Sequence, residues 1–294
     1  MQVPAYITYT IIYACQLSFL SFSYSLNHIT DDFPNFSQAG IIATGIVLNY
    51  SVTAQLGISP YIGSIFMFLL GGLFGLLTYY LFRLLKRKGR DDIQLTLVSL
   101  GVMIILTNFN KILQFWIRSL TPLNDYAFLL RRYDFTFLQN PGVLYVSVFL
   151  FLLALVTLFF IPRLSVSLLF KALFEDPVLA EIQGVNVAYY HEIYWFFTGG
   201  ISCLIGAIHV INFHSSPDGA YFLLIAAIAG SLLGGITPLR ASFFGGFIMG
   251  ILEMGSIMFA QWLIGPWIGE YRILIPILVL SLVLRFKPDG VLKK

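Results

Sequence analysis

Long apolar runs alternate with short polar segments along the whole chain. Nine runs are predicted to be helical spans, at roughly 5–26, 39–56, 60–82, 93–116, 141–161, 192–211, 220–236, 241–264 and 271–286. Most are close to the roughly 20 residues that an α-helix needs to cross the hydrocarbon core of a bilayer. The pattern therefore predicts an all-α fold, a polytopic transmembrane helical bundle of about 8–10 spans. We expect one membrane domain over residues 1–294.

Composition excludes several classes of protein. The 294 residues are 58% hydrophobic and only 11% charged, whereas soluble domains carry about 25% charged residues. A net charge of +3, with basic residues scattered among loops, gives no reason to expect nucleic-acid binding. Cys15 and Cys203 both fall in apolar runs, which favours two buried thiols over a disulfide. No basic segment precedes the first run, so residues 1–26 are predicted to be a retained span rather than a cleaved signal.

The distribution of Lys and Arg predicts the orientation, because cytoplasmic loops are enriched in both residues. If the spans alternate, twelve basic residues fall on one side and five on the other. The richer side contains the 83–90 cluster, Arg240 and the C-terminal tail. We therefore expect a multi-pass protein of the plasma or inner membrane, with its C-terminus in the cytoplasm.

A polar segment, Lys171–Val187, interrupts the apolar runs on that same side. Asp176 followed by Pro177 is typical of a helix N-cap and first helical residue, and Gly184 is typical of a helix end. The pattern predicts a short cytoplasmic helix within the segment 163–191. Since Ala180 and Gly184 are four residues apart, they are expected to share a small-residue face that a partner protein could approach closely.

Polar residues at membrane depth are candidates for a transport pathway. Glu253 lies in an otherwise apolar run, and an ionisable group there costs roughly 2.5–3.5 kcal/mol on insertion scales. It is either functional or part of a helix–helix hydrogen bond, for example with Ser256 or Gln261. Asn35 and Gln38 could line a pathway or cap a helix that re-enters the bundle, and Asn108 is a further pathway candidate. The segment 27–38 is predicted to be a loop or a broken helix.

Glycines cluster in several runs, including the GxxxG pair Gly246 and Gly250. Such spacing lets helix backbones approach closely in lipid. It favours tight packing within one bundle over a pathway built from thin, mobile helices.

Other chemistry is not expected. The four histidines lack the companions and spacing of a metal site, and no GxxxxGK[ST] nucleotide-binding motif occurs. Because no catalytic constellation is evident either, we expect neither an enzyme nor a cofactor in this chain.

Four ordered segments resemble the permease subunits of ABC importers for branched-chain amino acids, a superfamily shared with sugar and nucleoside permeases. They are 36–40 within PNFSQAGIIATG, 95–108 (LTLVSLGVMIILTN), the Lys171–Val187 segment, and 234–253 (GGITPLRASFFGGFIMGILE) followed by the tail RFKPDG. Lys171 stands where Arg is more usual in that family.

The resemblance implies a membrane-spanning subunit that imports branched-chain or other small amino acids and couples ATPase motion to alternating access. The implied partners are cytoplasmic ATPase subunits that hydrolyse ATP, a second permease subunit and an external substrate-binding protein, besides membrane lipid. The short cytoplasmic helix would dock on the ATPase. The residues implied in this coupling are Lys171, Ala172, Glu175, Asp176, Ala180 and Gly184. Alternatives are a sugar or nucleoside permease of the same superfamily, or a stand-alone ion-coupled carrier.

Overall fold

The computed structural model describes residues 4–31, 33–120, 128–160, 177–182, 184–287 and 290–291. Within these residues the chain forms ten α-helices. They are α1 (Ala5–Asp31), α2 (Ser37–Leu56), α3 (Pro60–Arg87), α4 (Asp92–Leu120), α5 (Gly142–Phe160), α6 (Pro177–Ile182), α7 (Val187–Asn212), α8 (Gly219–Gly234), α9 (Leu239–Ile264) and α10 (Leu274–Phe286). Short 3-10 helices occupy Arg131–Tyr133 and Pro266–Tyr271, and a two-stranded hairpin pairs β1 (Thr136–Phe137) with β2 (Asn140–Pro141).

Each of the nine predicted spans corresponds to one helix. Seven helices are long and apolar enough to cross a membrane, whereas α8 and α10 are shorter apolar helices of 16 and 13 residues. At 1.5 Å per residue these two reach only about 24 and 20 Å. The prediction of an all-α polytopic bundle is confirmed, and the two short helices are its main irregularity.

The helices divide into a central and a peripheral set. In its most apolar stretch α7 has 72% of its residues buried, whereas α4 and α5 each have 17%. The main core lies where α1, α2, α7, α8 and α9 meet, and it includes Ile12, Leu17, Ile42, Val210 and Met249, all between 0 and 2% exposed. The outer faces of α4 and α5 remain available to lipid or to another subunit.

Small residues bring the central helices into close contact. A Cβ atom at Gly75 of α3 would overlap the carbonyl group of Trp195 in α7, and one at Gly250 of α9 would lie 2.5 Å from Cα of Ala14 in α1. Gly246, one turn before Gly250, packs on the backbone of Ser18. This geometry supports the interpretation of the glycine clusters as tight packing sites. Cys15 and Cys203 are buried free thiols.

The segment between α1 and α2 is a helix break buried inside the protein. Helix α1 continues to Asp31 and α2 starts at Ser37. Asn35 lies in the break, and its Oδ1 accepts hydrogen bonds from the Ser37 backbone N–H at 3.0 Å and from the Ser37 hydroxyl at 2.6 Å. The predicted broken helix therefore exists, and the Asn35 side-chain carbonyl oxygen joins the break to the first residue of α2.

Candidate functional site

Glu253 of α9 forms a buried ion pair with Arg272, which precedes α10. Arg272 Nε lies 2.5 Å from Glu253 Oε1, and Tyr13 of α1 donates its hydroxyl to Glu253 Oε2 at 2.9 Å. The guanidinium carbon of Arg272 lies 4.2 Å from the centre of the Tyr13 ring, within range of a cation–π interaction. The side chain of Glu253 is 3% exposed and that of Arg272 is 31% exposed. One carboxylate thus connects α1, α9 and the segment that precedes α10.

The partners that the sequence suggested for Glu253 are wrong. Ser256 is exposed on α9, and Gln261 is two turns further along. Glu253 instead bonds to residues 240 positions earlier and 19 positions later in the chain. The reason is geometric, because residues on one helix cannot surround a side chain that points away from it into the bundle.

His209 of α7 extends this polar cluster. Its Nδ1 is 2.8 Å from Oε1 of Gln16 in α1. The imidazole stacks on Phe213 at a centroid distance of 4.6 Å, and lies 6.1 Å from the Tyr13 ring. Gln16, His209 and Tyr13 therefore place polar groups from α1 and α7 beside the Glu253–Arg272 pair.

A cavity of about 250 Å³ opens beside this cluster. Its polar walls come from Tyr13, His209, Glu253 and Arg272, and exposed His214 and Glu270 lie along it. Its remaining walls are largely apolar and include Ile46, Phe222, Leu223 and Pro276. A paired positive and negative charge next to an apolar surface suits a small molecule that carries both charges and an apolar group.

The other predicted pathway residues are not gathered at this cavity. Gln38 is 2% exposed, and its Nε2 donates to the Ser23 hydroxyl at 3.2 Å. Ser23 lies ten residues beyond Tyr13 on α1, which is about 15 Å along the helix axis. Asn35 is likewise 2% exposed, and its Oδ1 accepts the Ser37 N–H at the start of α2. Asn35 and Gln38 are thus buried inside the bundle, away from this cavity.

Asn108 lies on the exposed face of α4 and donates to the carbonyl of Ile104 in its own helix, at 2.8 Å. Its neighbour Asn110 is the buried amide of this helix, and its Nδ2 donates to the Thr44 hydroxyl at 2.9 Å. Asn108 was the predicted pathway residue of this helix, yet it is Asn110 that holds α4 against α2. A two-residue shift rotates a side chain by about 200° around a helix, which is enough to exchange the two faces.

The short cytoplasmic helix predicted within 163–191 corresponds to α6. It starts at Pro177, as predicted, and ends at Ile182. The Gly184 N–H donates to the carbonyl of Glu181, and the Val185 N–H to that of Ala180, while Gly184 has φ of 87°. Gly184 therefore has the left-handed conformation of a residue beyond the helix end. Lys171, Ala172, Glu175 and Asp176 lie outside the described residues.

The expected shared face of Ala180 and Gly184 is wrong, because Gly184 lies beyond the helix. Ala180 is only 2% exposed, whereas Ile182 is 77% exposed and Glu181 is also exposed. Among the side chains of α6 that the structure describes, those of Glu181 and Ile182 are the exposed ones, and Gly184 just beyond the helix is exposed as well.

A second polar cluster occupies the opposite end of the bundle. Trp195 Nε1 donates to Asp31 Oδ2 at 2.6 Å, and Arg83 Nη1 lies 3.5 Å from Glu192 Oε1. This end also contains a cavity of about 380 Å³ with aromatic and basic walls. Glu192 thus pairs across helices with Arg83, near the start of α7.

Several residues of these clusters were not found from the sequence. Tyr13, His209 and Trp195 are residue types that occur in many membrane spans, so nothing in the sequence distinguished them. Arg272 entered only the count of basic residues that predicted the orientation. One usable signal was available for Arg272. A basic residue at the predicted start of an apolar run is costly unless it is paired or reaches water.

Comparison with known proteins agrees with this architecture. Residues 6–284 match the family model described as the permease component of the branched-chain amino acid transport system. The chain is 25% identical over 283 residues to a probable branched-chain amino acid transport permease protein, LivH, from Methanocaldococcus jannaschii. The match covers 96% of this chain and 90% of that protein.

A solved structure has a similar fold. It is a chain of PsaBC from Streptococcus pneumoniae in complex with Fab, with a TM-score of 0.58 and 15% identity over 97% of this chain and 93% of that one. At this identity the likeness concerns the fold. The family match over nearly the whole length, on a polytopic helical bundle, identifies the chain as a member of the branched-chain amino acid permease family and as the membrane-spanning permease subunit of an ABC importer.

Proposed function

We propose that this subunit imports small apolar amino acids. It would work together with a second permease subunit, cytoplasmic ATPase subunits and an external binding protein. The proposed substrate rests on one observation, the cavity beside Glu253 and Arg272. Its buried ion pair offers partners for both charges of a zwitterion, and its apolar walls suit an aliphatic side chain.

The predicted orientation places this cavity on the external side. The basic residues of the other end include Arg83, Lys86 and Arg87, with Lys88 and Arg90 following α3. Their density favours the cytoplasm for that end and for the C-terminus. Substrate released from an external binding protein would then reach the Glu253–Arg272 pair first.

Uptake by the reconstituted assembly tests the substrate. We expect ATP-dependent accumulation of labelled leucine or valine in proteoliposomes, with external binding protein present and no uptake of ribose or a nucleoside. Sugar or nucleoside uptake instead would assign the chain to the other branch of the superfamily. Uptake by this chain alone, without ATP, would favour an ion-coupled carrier and overturn the proposal.

Helix α6 is proposed to dock on the ATPase through Ile182 and Glu181. Burying an apolar side chain that is 77% exposed in the free subunit would contribute about 1.5–3 kcal/mol to docking. The change Ile182→Asp should therefore reduce co-purification of the ATPase and abolish ATP-dependent uptake. Ile93→Asp is the matched control, because Ile93 is also 77% exposed and lies near the same end. Equal loss in both variants would contradict docking through α6.

The second permease subunit is proposed to pack against α4. Asn108 is an exposed amide on a face that also carries exposed Ile104, Ile105 and Ile112. An amide facing lipid is unfavourable, and hydrogen bonding between helices would satisfy it. Cross-linking between Cys residues introduced at position 108 should trap a permease pair, whereas position 153, exposed on α5, should not. Cross-linking at position 153 but not at position 108 would show that the second subunit packs against α5 instead.

A further inference from the structure

The cavity at the basic end of the bundle has no role in the proposed function. It lies where the ends of α1, α3, α4 and α7 meet. Asp31, Phe33, Tyr79, Phe82, Leu95 and His191 line it together with Arg83, Lys86 and Arg87 of α3. With a volume of about 380 Å³ it is larger than the cavity at Glu253.

Apart from Asp31, the floor of this cavity is apolar and closely packed. Phe33, Phe82 and Leu95 are 1%, 3% and 0% exposed and form one hydrophobic cluster with Tyr79 and Trp195. The rings of Phe33 and Phe82 meet edge to face at 5.2 Å. A cavity built on such a floor is preformed, so a ligand would not have to order it.

The rim of the cavity is positively charged. Arg83 is offset by Glu192 at 3.5 Å, and Asp31 at the base accepts a hydrogen bond from Trp195. Lys86 and Arg87 are both exposed, and among the described residues neither has a carboxylate within ion-pair distance. These two side chains, on adjacent positions of the last turn of α3, are available to an anion.

The position of the rim along α3 favours a lipid over a soluble anion. Helix α3 has 28 residues and is about 42 Å long, so it extends beyond the roughly 30 Å hydrocarbon core. Its last turn therefore lies at headgroup level. The preceding turns expose Leu77, Tyr80, Leu81 and Leu84, which would contact acyl chains directly below the basic rim.

We propose that this cavity binds the phosphate headgroup of an anionic phospholipid. Lys86 and Arg87 contact the phosphate, and the aromatic floor receives the glycerol region. Basic pockets between membrane helices on the cytoplasmic side are suited to such headgroups. The proposal depends only on the chain spanning a membrane, and it does not require the substrate or the ATPase contact proposed above.

Native mass spectrometry of the purified permease tests the site. The probes are phosphatidylglycerol and, as the zwitterionic comparison, phosphatidylcholine, both added in detergent. We expect one phosphatidylglycerol molecule to be retained and phosphatidylcholine to be lost. The double variant Lys86→Gln/Arg87→Gln should weaken retention by about tenfold or more, because charge-assisted hydrogen bonds to the phosphate are removed.

The matched control is Lys88→Gln/Arg90→Gln. It removes the same charge from the same basic cluster, but neither residue lines the cavity. We expect this control to retain the lipid within about twofold of the parent chain. Equal loss in both double variants would show a general attraction by surface charge, and would overturn the proposal.

Competition separates a lipid from a free anion. Millimolar inorganic phosphate or ATP should leave the bound phosphatidylglycerol in place, whereas excess short-chain phosphatidylglycerol should displace it. Displacement by phosphate alone would make this a site for a soluble anion, and no retained lipid in the parent chain would exclude the site. Unchanged thermal unfolding of both double variants would show that they are folded.

Discussion

The ion pairs at the two ends of the bundle differ in how far their charges are buried. At the Glu253 end the carboxylate is 3% exposed and its ion pair is short. At the Arg83 end both partners are about one-third exposed and lie 3.5 Å apart. A buried charge that loses its partner is left without solvent, whereas a half-exposed one recovers water. The same pair of residue types can therefore be essential at one end and nearly neutral at the other.

Removal of Arg272 is expected to have the largest effect. Arg272→Met leaves Glu253 buried without its counter-charge and should cost about 3–5 kcal/mol of stability. Glu253→Gln should cost less, because Arg272 is 31% exposed and can be hydrated. Thermal unfolding of both variants and of the double variant in detergent measures this difference. If the two single variants lose the same stability, the difference in exposure between Glu253 and Arg272 does not determine the effect.

The second largest loss of stability is expected from a substitution that pushes α1 away from α9. Gly250→Ala places a methyl group 2.5 Å from Cα of Ala14, beside Tyr13. Such overpacking costs about 1–3 kcal/mol and should weaken the bond between Tyr13 and Glu253. Gly255→Ala is the matched control on the same helix, because its Cβ would meet nothing within 4 Å. If both variants unfold at the same temperature, the close contact is not important.

Loss of the Arg83–Glu192 ion pair should have only a small effect on stability. Arg83→Met or Glu192→Gln should change stability by about 1 kcal/mol or less, as exposed ion pairs do. Added salt should reduce this small difference further. Unfolding at low and high ionic strength measures it. A loss comparable to that of Arg272→Met would remove the contrast between the two ends.

The smallest expected effect is a pH dependence at Asp134, in the loop near the Glu253 end. Burial raises the pKa of the Asp134 carboxyl, although Tyr61 donates a hydrogen bond to it. Because the folded state then holds this proton more tightly than the unfolded state, its contribution to stability falls as pH rises from about 4 towards the raised pKa. Asp134→Asn should flatten that part of the profile of unfolding temperature against pH. A profile identical to that of the parent chain would contradict this assignment.

Sequence patterns predicted the helices much better than the contacts between them. An apolar run near 20 residues is expected to be a helix, because unpaired backbone groups are costly in lipid, so the nine helices that match the apolar runs were all expected. Glu253 stood out because a carboxylate at that depth is expensive. Its partners did not, since Tyr13 and Arg272 are brought to it only by the packing of α1, α9 and α10.

The same limit explains Asn108 and Ala180. Composition marks an amide as unusual in a span, but only the rotation of α4 decides that Asn110 faces inward and Asn108 outward. The spacing of residues 180 and 184 predicted a common face, although Gly184 was also expected to end the helix. Gly184 does lie beyond the helix end, and its left-handed backbone excludes it from the face of Ala180.

The unequal lengths of the helices have a consequence for the surrounding bilayer. Helices α8 and α10 pack against each other and reach only about 24 and 20 Å, whereas α3 reaches about 42 Å. Hydrophobic mismatch of this kind is relieved by local thinning of the membrane or by tilting of neighbouring helices. One flank of the protein should therefore be surrounded by a thinned annulus, and transport activity should depend on acyl-chain length as well as on headgroup.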